Sequence, residues 1–588
     1  MTTIFTRKTA LLSAALLLAT QSALVGAKTA APAAKPVYSD AIFSKNAIHQ
    51  PVWAANGMVA SQQEQASQVG LEILQQGGNA VDAAVAVGFA LAVTLPRAGN
   101  IGGGGFMMIY DAKTGETIAL DYREMAPAKA FRDMYLDEAG NAVEEKSRFH
   151  GLAVGVPGTV AGLLKALEEH GSMSREQVLA PAIKLAADGI IVTPEFSNSL
   201  NGLKERLGKW ESTRKIFFRE DGNVLQPGEL FKQPDLAQSL RLIAEKGAAG
   251  FYEGETAEKI VKAVNEAGGL MSVEDFKNYQ AIKREPVKGQ YRGYEIVSMP
   301  PPSSGGAHII QILNILEGYD LKASGHNTAQ TIHYMSEAMK LAYADRSEYL
   351  GDPDFVKVPL KGIISKDYAE ELRGQIDPEK SRPSAEIKPG KPQPYESDQT
   401  THYSVVDKDG NTVSNTYTIN FSYGTGLVAD GTGILLNNEM DDFSAKPGVP
   451  NGYGLIGGDA NAVEGGKRPL SSMSPTIVLK DGKPYLVTGT PGGSRIITTV
   501  LQVIVNVIDH EMNIAEATHA LRIHDQWLPD EIRVEHALNN DTIRLLESMG
   551  HKVERRAVMG STQSIMITPQ GLYGASDPRI PDAATLGY

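Results

Sequence analysis

The chain of 588 residues contains no cysteine. That excludes disulfides as a source of stability, a thiol nucleophile, and any thiolate-ligated metal site. The fold must be held by its apolar core. Basic residues are also in deficit: 56 Lys and Arg stand against 69 Asp and Glu, a net charge of −13. This balance argues against a nucleic-acid partner, which favours a basic patch. With 42% hydrophobic and 21% charged residues, the composition otherwise reads as an ordinary soluble globular protein.

Long apolar runs are scarce. The run over residues 11–19 is too short to span a bilayer comfortably. It follows Arg7 and Lys8 and precedes the small residues Val25-Gly26-Ala27, the pattern of a secretory signal. Residues 1–27 are therefore expected to be removed on export, to the periplasm or beyond. The alternative is an uncleaved anchor. Residues 80–87 are apolar nearly all round but too interrupted for a span, and predict a buried helix. Several site signatures are missing as well. No His-Glu-x-x-His stands among the 12 histidines, and Asp441-Asp442 lacks the remaining oxygens of a calcium loop. The glycine run 102–105 is followed by no Gly-Lys-Ser/Thr, so it reads as close backbone packing.

What is present alternates between strand and helix signals. A strand is expected at 57–60, helices at 66–76 and from Asn79 to about 93, and a hairpin over 106–110 and 118–123. Helical spacing recurs at 160–170, 175–188, 234–246, 256–267 and after Asn327-Thr328 to about 349. Residues 376–399 change character, with Pro378, Pro383, Pro389, Pro392 and Pro394, and predict a mobile tail or linker. Beyond it, strands are expected near 433–436, 476–479, 485–489, 563–567 and 572–575, and a helix at 496–509. Strands in both halves with helices around them fit a layered α/β sandwich.

The chemistry centres on Gln399-Thr400-Thr401-His402-Tyr403. Alternating runs on either side of Lys408-Asp409-Gly410 predict a β-hairpin with the Thr-Thr pair at its mouth. A threonine hydroxyl is a poor nucleophile without a base. If the Gln399–Thr400 bond breaks, Thr400 gains an α-amine with a pKa of about 7.7–8.0. That amine is partly neutral near pH 7 and can accept the hydroxyl proton. His402 and Asp407 could instead suggest a Ser-His-Asp triad, but no nucleophile elbow is present, and His402 reads as a packed strand residue. Pro491-Gly492-Gly493-Ser494-Arg495 links a strand to a helix. Its backbone N–H groups could stabilise an oxyanion, or it could be only a tight turn.

Taken together, residues 399–407, 437–444, 468–475 and 489–495, with Tyr122-Arg123-Glu124 and residues 574–579, resemble the γ-glutamyltranspeptidases in order along the mature chain. The resemblance implies the N-terminal nucleophile hydrolase fold, an αββα sandwich built by both subunits. It implies a precursor that cuts itself before Thr400 into a large subunit, 28–399, and a small one, 400–588, which stay together as a heterodimer. Thr400 maps to the nucleophile, Thr418 to the residue that orients it, and Gly492 and Gly493 to the oxyanion hole. For the γ-glutamyl group, Arg123 with Ser471 and Ser472 would hold the α-carboxylate, and Glu439, Asp442 and Asn420 the α-ammonium. Residues 447–458, with Tyr453, resemble a lid loop. Arg522 and Arg579 also match the family, without a role beyond structure or processing. The implied substrates are glutathione and other γ-glutamyl compounds, with water, amino acids or dipeptides as acceptors and no metal or organic cofactor. A β-lactam acylase of the same fold, an exported binding protein, or an inactive homologue are the alternatives. Retention of both ends of a zwitterion clamp argues against the first, and the intact Thr400 and glycine pair against the third; a denaturing gel of the mature protein decides the second, since a binding protein should run as one band.

Overall fold

The computed structural model describes residues 47–390, 401–446 and 458–588. The expected signal segment, Thr400 and Tyr453 lie outside the described residues. Two seven-stranded sheets form the centre. The first runs, in spatial order, Ala584–Gly587, Met58–Ser61, Thr401–Val406, Thr412–Thr418, Gly104–Tyr110, Thr117–Tyr122 and Ile282–Arg284. The second runs Val52–Ala54, Gly571–Ser576, Gln563–Thr568, Lys483–Thr488, Thr476–Lys480, Tyr294–Ser298 and Val287–Tyr291. All pairings within both are antiparallel.

The central strands of the first sheet, Thr401–Val406, Thr412–Thr418 and Gly104–Tyr110, are buried on both faces, and alternation divides their side chains between two cores. Met107 and Ile109 join the helices outside the first sheet, whereas Phe106 and Met108 face the second sheet. Val59 and Met58, or Val405 and Val406, divide the same way. Helices Ala80–Thr94 and Thr159–His170 cover the first sheet, and Gly305–Leu316 packs on the second, backed by Ala329–Tyr349 and Arg495–Ile508. The result is the expected αββα layering.

Local chemistry explains why the elements start where they do. Asn79 caps helix Ala80–Thr94 in a reciprocal capping box with Asp82. All residues of that helix are buried, as its apolar circumference predicts. Thr328 caps Ala329–Tyr349 through Thr331 N. The central hairpin closes with Gly410 at φ +89° and Val406 paired to Thr412. The glycine run serves packing: a Cβ on Gly103 would lie 1.9 Å from Thr418 O, and one on Gly105 2.4 Å from Tyr417 Cβ.

The start of the proline-rich stretch is docked, which narrows the expected mobile segment. Trp527 Nε1 donates to Ser384 O at 3.0 Å, Ser384 Oγ donates to Asp530 at 2.8 Å, and Gly390 N donates to Asp345 at 2.7 Å. Prolines give this stretch a fixed extended path, and these bonds then hold it to the core. Among the described residues, no helix is long and apolar enough to cross a membrane.

Gly103→Ala forces a methyl into a backbone carbonyl that cannot retreat without breaking the sheet. The variant is expected to lose about 3 kcal/mol or more, at or above the upper end of ordinary overpacking costs. Thermal or denaturant unfolding checks this; an unchanged midpoint would mean that the two strands separate more easily than their register implies.

Candidate active site

The open end of the central hairpin builds the site. There Thr401 pairs with Tyr417, and Thr418 pairs with Gly104. Gly104 leaves a hollow that Glu124 fills: a Cβ on Gly104 would fall 2.7 Å from Glu124 Oε2. Thr418 Oγ1 accepts from Asn420 N at 2.8 Å, and its carbonyl accepts from Asn100 Nδ2 at 2.9 Å. Asn420 adopts φ +67°, a left-handed conformation that Asn tolerates better than most residues. Its Nδ2 then donates to Asn438 O at 3.0 Å.

Asn438 leads into the 3₁₀ turn Glu439–Asp442, which presents two acids to Arg123. The guanidinium donates through Nη1 to Glu439 and through Nη2 to Asp442. Nε donates to Pro469 O and Nη2 to Leu470 O, each at 3.0 Å. Glu124 Oε2 lies 3.6 Å from Nη1. The sequence set Arg123 and the acids at opposite ends of a zwitterion; the structure joins them in one cluster, because the turn folds back onto the strand end that carries Arg123.

Burial by itself would lower the Arg123 pKa, but Glu439, Asp442 and Glu124 outweigh it and keep the guanidinium charged. Burial raises all three carboxyls, Glu124 and Asp442 well above the usual carboxylate range and Glu439 less far. Glu124 is lifted by burial and then by repulsion from Glu439. Asn420 Oδ1, Glu439 Oε2 and Asp442 Oδ1 are buried acceptors without a donor. Each such atom costs about 1–3 kcal/mol. A cationic donor entering here would satisfy them.

Ser471 and Ser472 follow the two carbonyls that hold Arg123. Ser471 N donates to Pro302 O at 2.8 Å, and its hydroxyl oxygen accepts from Met473 N at 3.1 Å. Ser472 Oγ accepts from Arg346, whose Nε donates to Ser304 Oγ at 2.9 Å. Both serine hydroxyls therefore keep their own proton to give. Gly492 and Gly493 stand between strand Lys483–Thr488 and helix Arg495–Ile508, at φ +134° and +67°. Among the described residues neither N–H meets an acceptor. Their loop begins at Gly489, which lies against the His402 ring: a Cβ there would be 2.4 Å from it.

His402 itself is fully buried, bonded to Thr416 Oγ1 at 2.8 Å and Ser404 Oγ at 3.0 Å, and burial pushes its pKa down to about 3. Asp407 instead receives Ala80 N at 2.9 Å and holds the hairpin turn through Asn411. They form no triad. Arg522 and Arg579 belong to a separate ion network with Asp577 and Glu535. Sequence reasoning missed Glu124 and Arg346. Glu124 adjoins Arg123 in the sequence and could have been weighed with it; Arg346 sits inside a long helix with no local signal.

A carboxyl whose folded pKa is raised binds more protons folded than unfolded. Its stability contribution is full below the unfolded pKa of about 4.3 and is lost as pH rises towards the folded value. Glu124→Gln removes that loss. The melting temperature of the variant minus that of the parent is expected to grow from pH 5 to pH 8. A difference that shrinks would show Glu124 ionised and paired instead.

Comparison with known proteins places this geometry. The Gamma-glutamyltranspeptidase family model matches residues 66–587. A glutathione hydrolase proenzyme of Escherichia coli K12 is 58% identical over 561 residues, 95% of this chain and 96% of its own. A solved cephalosporin acylase from Bacillus halodurans superposes with a TM-score of 0.83 at 30% identity, covering 92% of this chain and 97% of its own. A chain of Helicobacter pylori gamma-glutamyltranspeptidase gives 0.55 at 49% identity, over 56% of this chain and 94% of its own. A match over most of the length, at such identity, settles the matter of kinship: this chain belongs to the gamma-glutamyltranspeptidase family.

Proposed function

We propose that the protein cleaves the γ-glutamyl bond of glutathione and related compounds and passes the group to water, an amino acid or a dipeptide. The observation that carries this reading is the buried Arg123–Glu439–Asp442 cluster at the open end of the hairpin. A γ-glutamyl group ends in an α-carboxylate and an α-ammonium. The ammonium would satisfy Asn420 Oδ1, Glu439 Oε2 and Asp442 Oδ1, which now lack donors. The carboxylate would draw on the guanidinium and on the hydroxyl protons of Ser471 and Ser472.

In this reading the nucleophile is Thr400, freed when the chain cuts itself after Gln399 into subunits 28–399 and 400–588. Alternation along the strand sets His402 and Ser404 against the second sheet. Thr418 orients the Thr400 hydroxyl. The free α-amine takes the hydroxyl proton as Oγ attacks the γ-carbonyl. The N–H groups of Gly492 and Gly493 hold the oxyanion of the tetrahedral intermediate. Collapse expels the amine, cysteinylglycine from glutathione, and leaves a γ-glutamyl ester. Water or an acceptor amine then attacks the ester and releases Thr400. Tyr453 is the residue that the resemblance assigns to a lid. Export of the chain through residues 1–27 completes the proposal.

A cephalosporin acylase reading is the nearest rival, given the acylase among the similar structures. A side chain without an α-amine would leave the acidic half of the cluster unsatisfied, which favours the γ-glutamyl reading.

Thr400→Ala is expected to run as one uncut band with no activity, because one hydroxyl serves both steps. Two-band maturation of that variant would refute the assignment, and the small band of the parent should begin Thr-Thr-His-Tyr. Arg123→Lys keeps the buried charge but loses the fork. It should process normally and raise KM for γ-glutamyl-p-nitroanilide about tenfold or more, the scale of one charge-assisted bond. An unchanged KM, or a parent that prefers glutaryl-7-aminocephalosporanic acid, would discard the clamp.

A further inference from the structure

Away from the hairpin, two imidazoles meet across the chain. His333 lies in helix Ala329–Tyr349 and His551 follows Gly550 near the C-terminal end, so they come from opposite sides of residue 400. Both are buried. His333 Nδ1 and His551 Nε2 are 2.7 Å apart. His333 Nε2 lies 2.8 Å from Asp377 O. A carbonyl can only accept, so Nε2 carries the proton and Nδ1 presents a lone pair. His551 Nε2 must therefore hold the one proton shared by the facing nitrogens. Glu337 stands one turn from His333, on the same helix face. The donor atoms of His333, Glu337 and His551 all lie within 4.8 Å of one another.

We propose that His333, His551 and Glu337 bind a divalent transition-metal ion, Zn²⁺ by the chemistry of the donors, which replaces the proton between the two rings. Two imidazoles and a carboxylate, with a fourth position for water, are a common zinc set. Nitrogens on one tetrahedral zinc are about 3.3 Å apart, given bonds of about 2.0–2.1 Å. The rings need separate only slightly from their present 2.7 Å. His551 then carries its proton on Nδ1, so the ring stays neutral and no charge is lost. The bond from His333 Nε2 to Asp377 O is the outer contact that typically fixes a ligating imidazole.

The charges beside the site are mixed, and Glu337 is already paired. Among the described residues Lys340 is the cation against Glu337; its Nζ donates to Glu337 Oε1, Ser381 Oγ and Arg382 O, each at 2.9 Å. Asp530 Oδ1, 3.8 Å from Nζ, remains as a second anion beside Lys340 when Glu337 turns to the ion. Glu337 Oε2 receives only a long 3.4 Å contact from Arg382 N and is the oxygen available to bind. The ion would tie helix Ala329–Tyr349 to the segment around His551, whether or not the chain is cut.

The test is calorimetric titration of Zn²⁺ into chelator-stripped full-length protein at neutral pH. One ion should bind per chain, with a rise in melting temperature that a chelator reverses. His551→Gln keeps a donor to His333 Nδ1 but removes a ligand. It should weaken Zn²⁺ binding by more than about tenfold, since loss of even an outer partner costs that much, and abolish the thermal shift. Its metal-free activity should match the parent. Among the described residues, the imidazole pairs His49–His519 and His326–His510 have no carboxylate grouped with them, so His510→Gln should bind as the parent does. Undiminished binding by His551→Gln, or no stoichiometric binding by the parent, overturns the proposal. X-ray absorption at the zinc edge of the loaded parent gives a reading that needs no variant: fewer than two imidazoles on the metal also overturns it.

Discussion

A buried guanidinium is stable only while its counter-charges are held against it, and Arg123 imposes that condition on the rest of the site. Removing one partner of such a pair strands the other in a medium that cannot solvate it. The surrounding elements meet the condition from four directions. The strand ending at Tyr122 brings the cation, the 3₁₀ turn Glu439–Asp442 two acids, the hollow over Gly104 admits Glu124, and Pro469 and Leu470 turn their carbonyls inward. Three carboxyls around one cation leave the cluster short of positive charge. That shortage is what the ammonium of the proposed substrate would make good.

The two sheets make this affordable in the physical sense. Every central strand is covered on both faces, so backbone and side-chain dipoles near the site have little freedom to reorganise. Polar groups between the sheets are tied off in pairs: His402 to Thr416 and Ser404, Ser404 to Gln563 O, and Thr488 to Ser564. The glycine loop 492–493 starts from the same layer and is therefore fixed relative to the hairpin rather than swinging free. Preorganisation of this kind is the largest single term in many acyl transfers.

Much of this was legible in the sequence, for reasons that can be stated. The hairpin, helix Ala80–Thr94 and the helix capped by Thr328 carry local signals, namely alternation, a capping box and a turn glycine. The site residues were legible through family resemblance, since nothing local marks Arg123 or Asn420. Long-range pairings were not legible. The strand Ala584–Gly587 pairs with Met58–Ser61, and no short window relates two segments so far apart. Arg346 and the His333–His551 contact escaped for the same reason. The docking of residues up to 390 escaped because prolines signal a stiff path without saying what lies beside it.

The interleaving of the sheets bears on how the molecule is made. Met58–Ser61 is flanked on one side by Thr401–Val406 and on the other by Ala584–Gly587, and Asn56 N donates to Tyr588 O at 2.7 Å. Strand Met58–Ser61 is made more than 500 residues before its neighbour Ala584–Gly587. Until that neighbour has been synthesised and docked, one side of Met58–Ser61 is an open β-edge of the sort that recruits other strands.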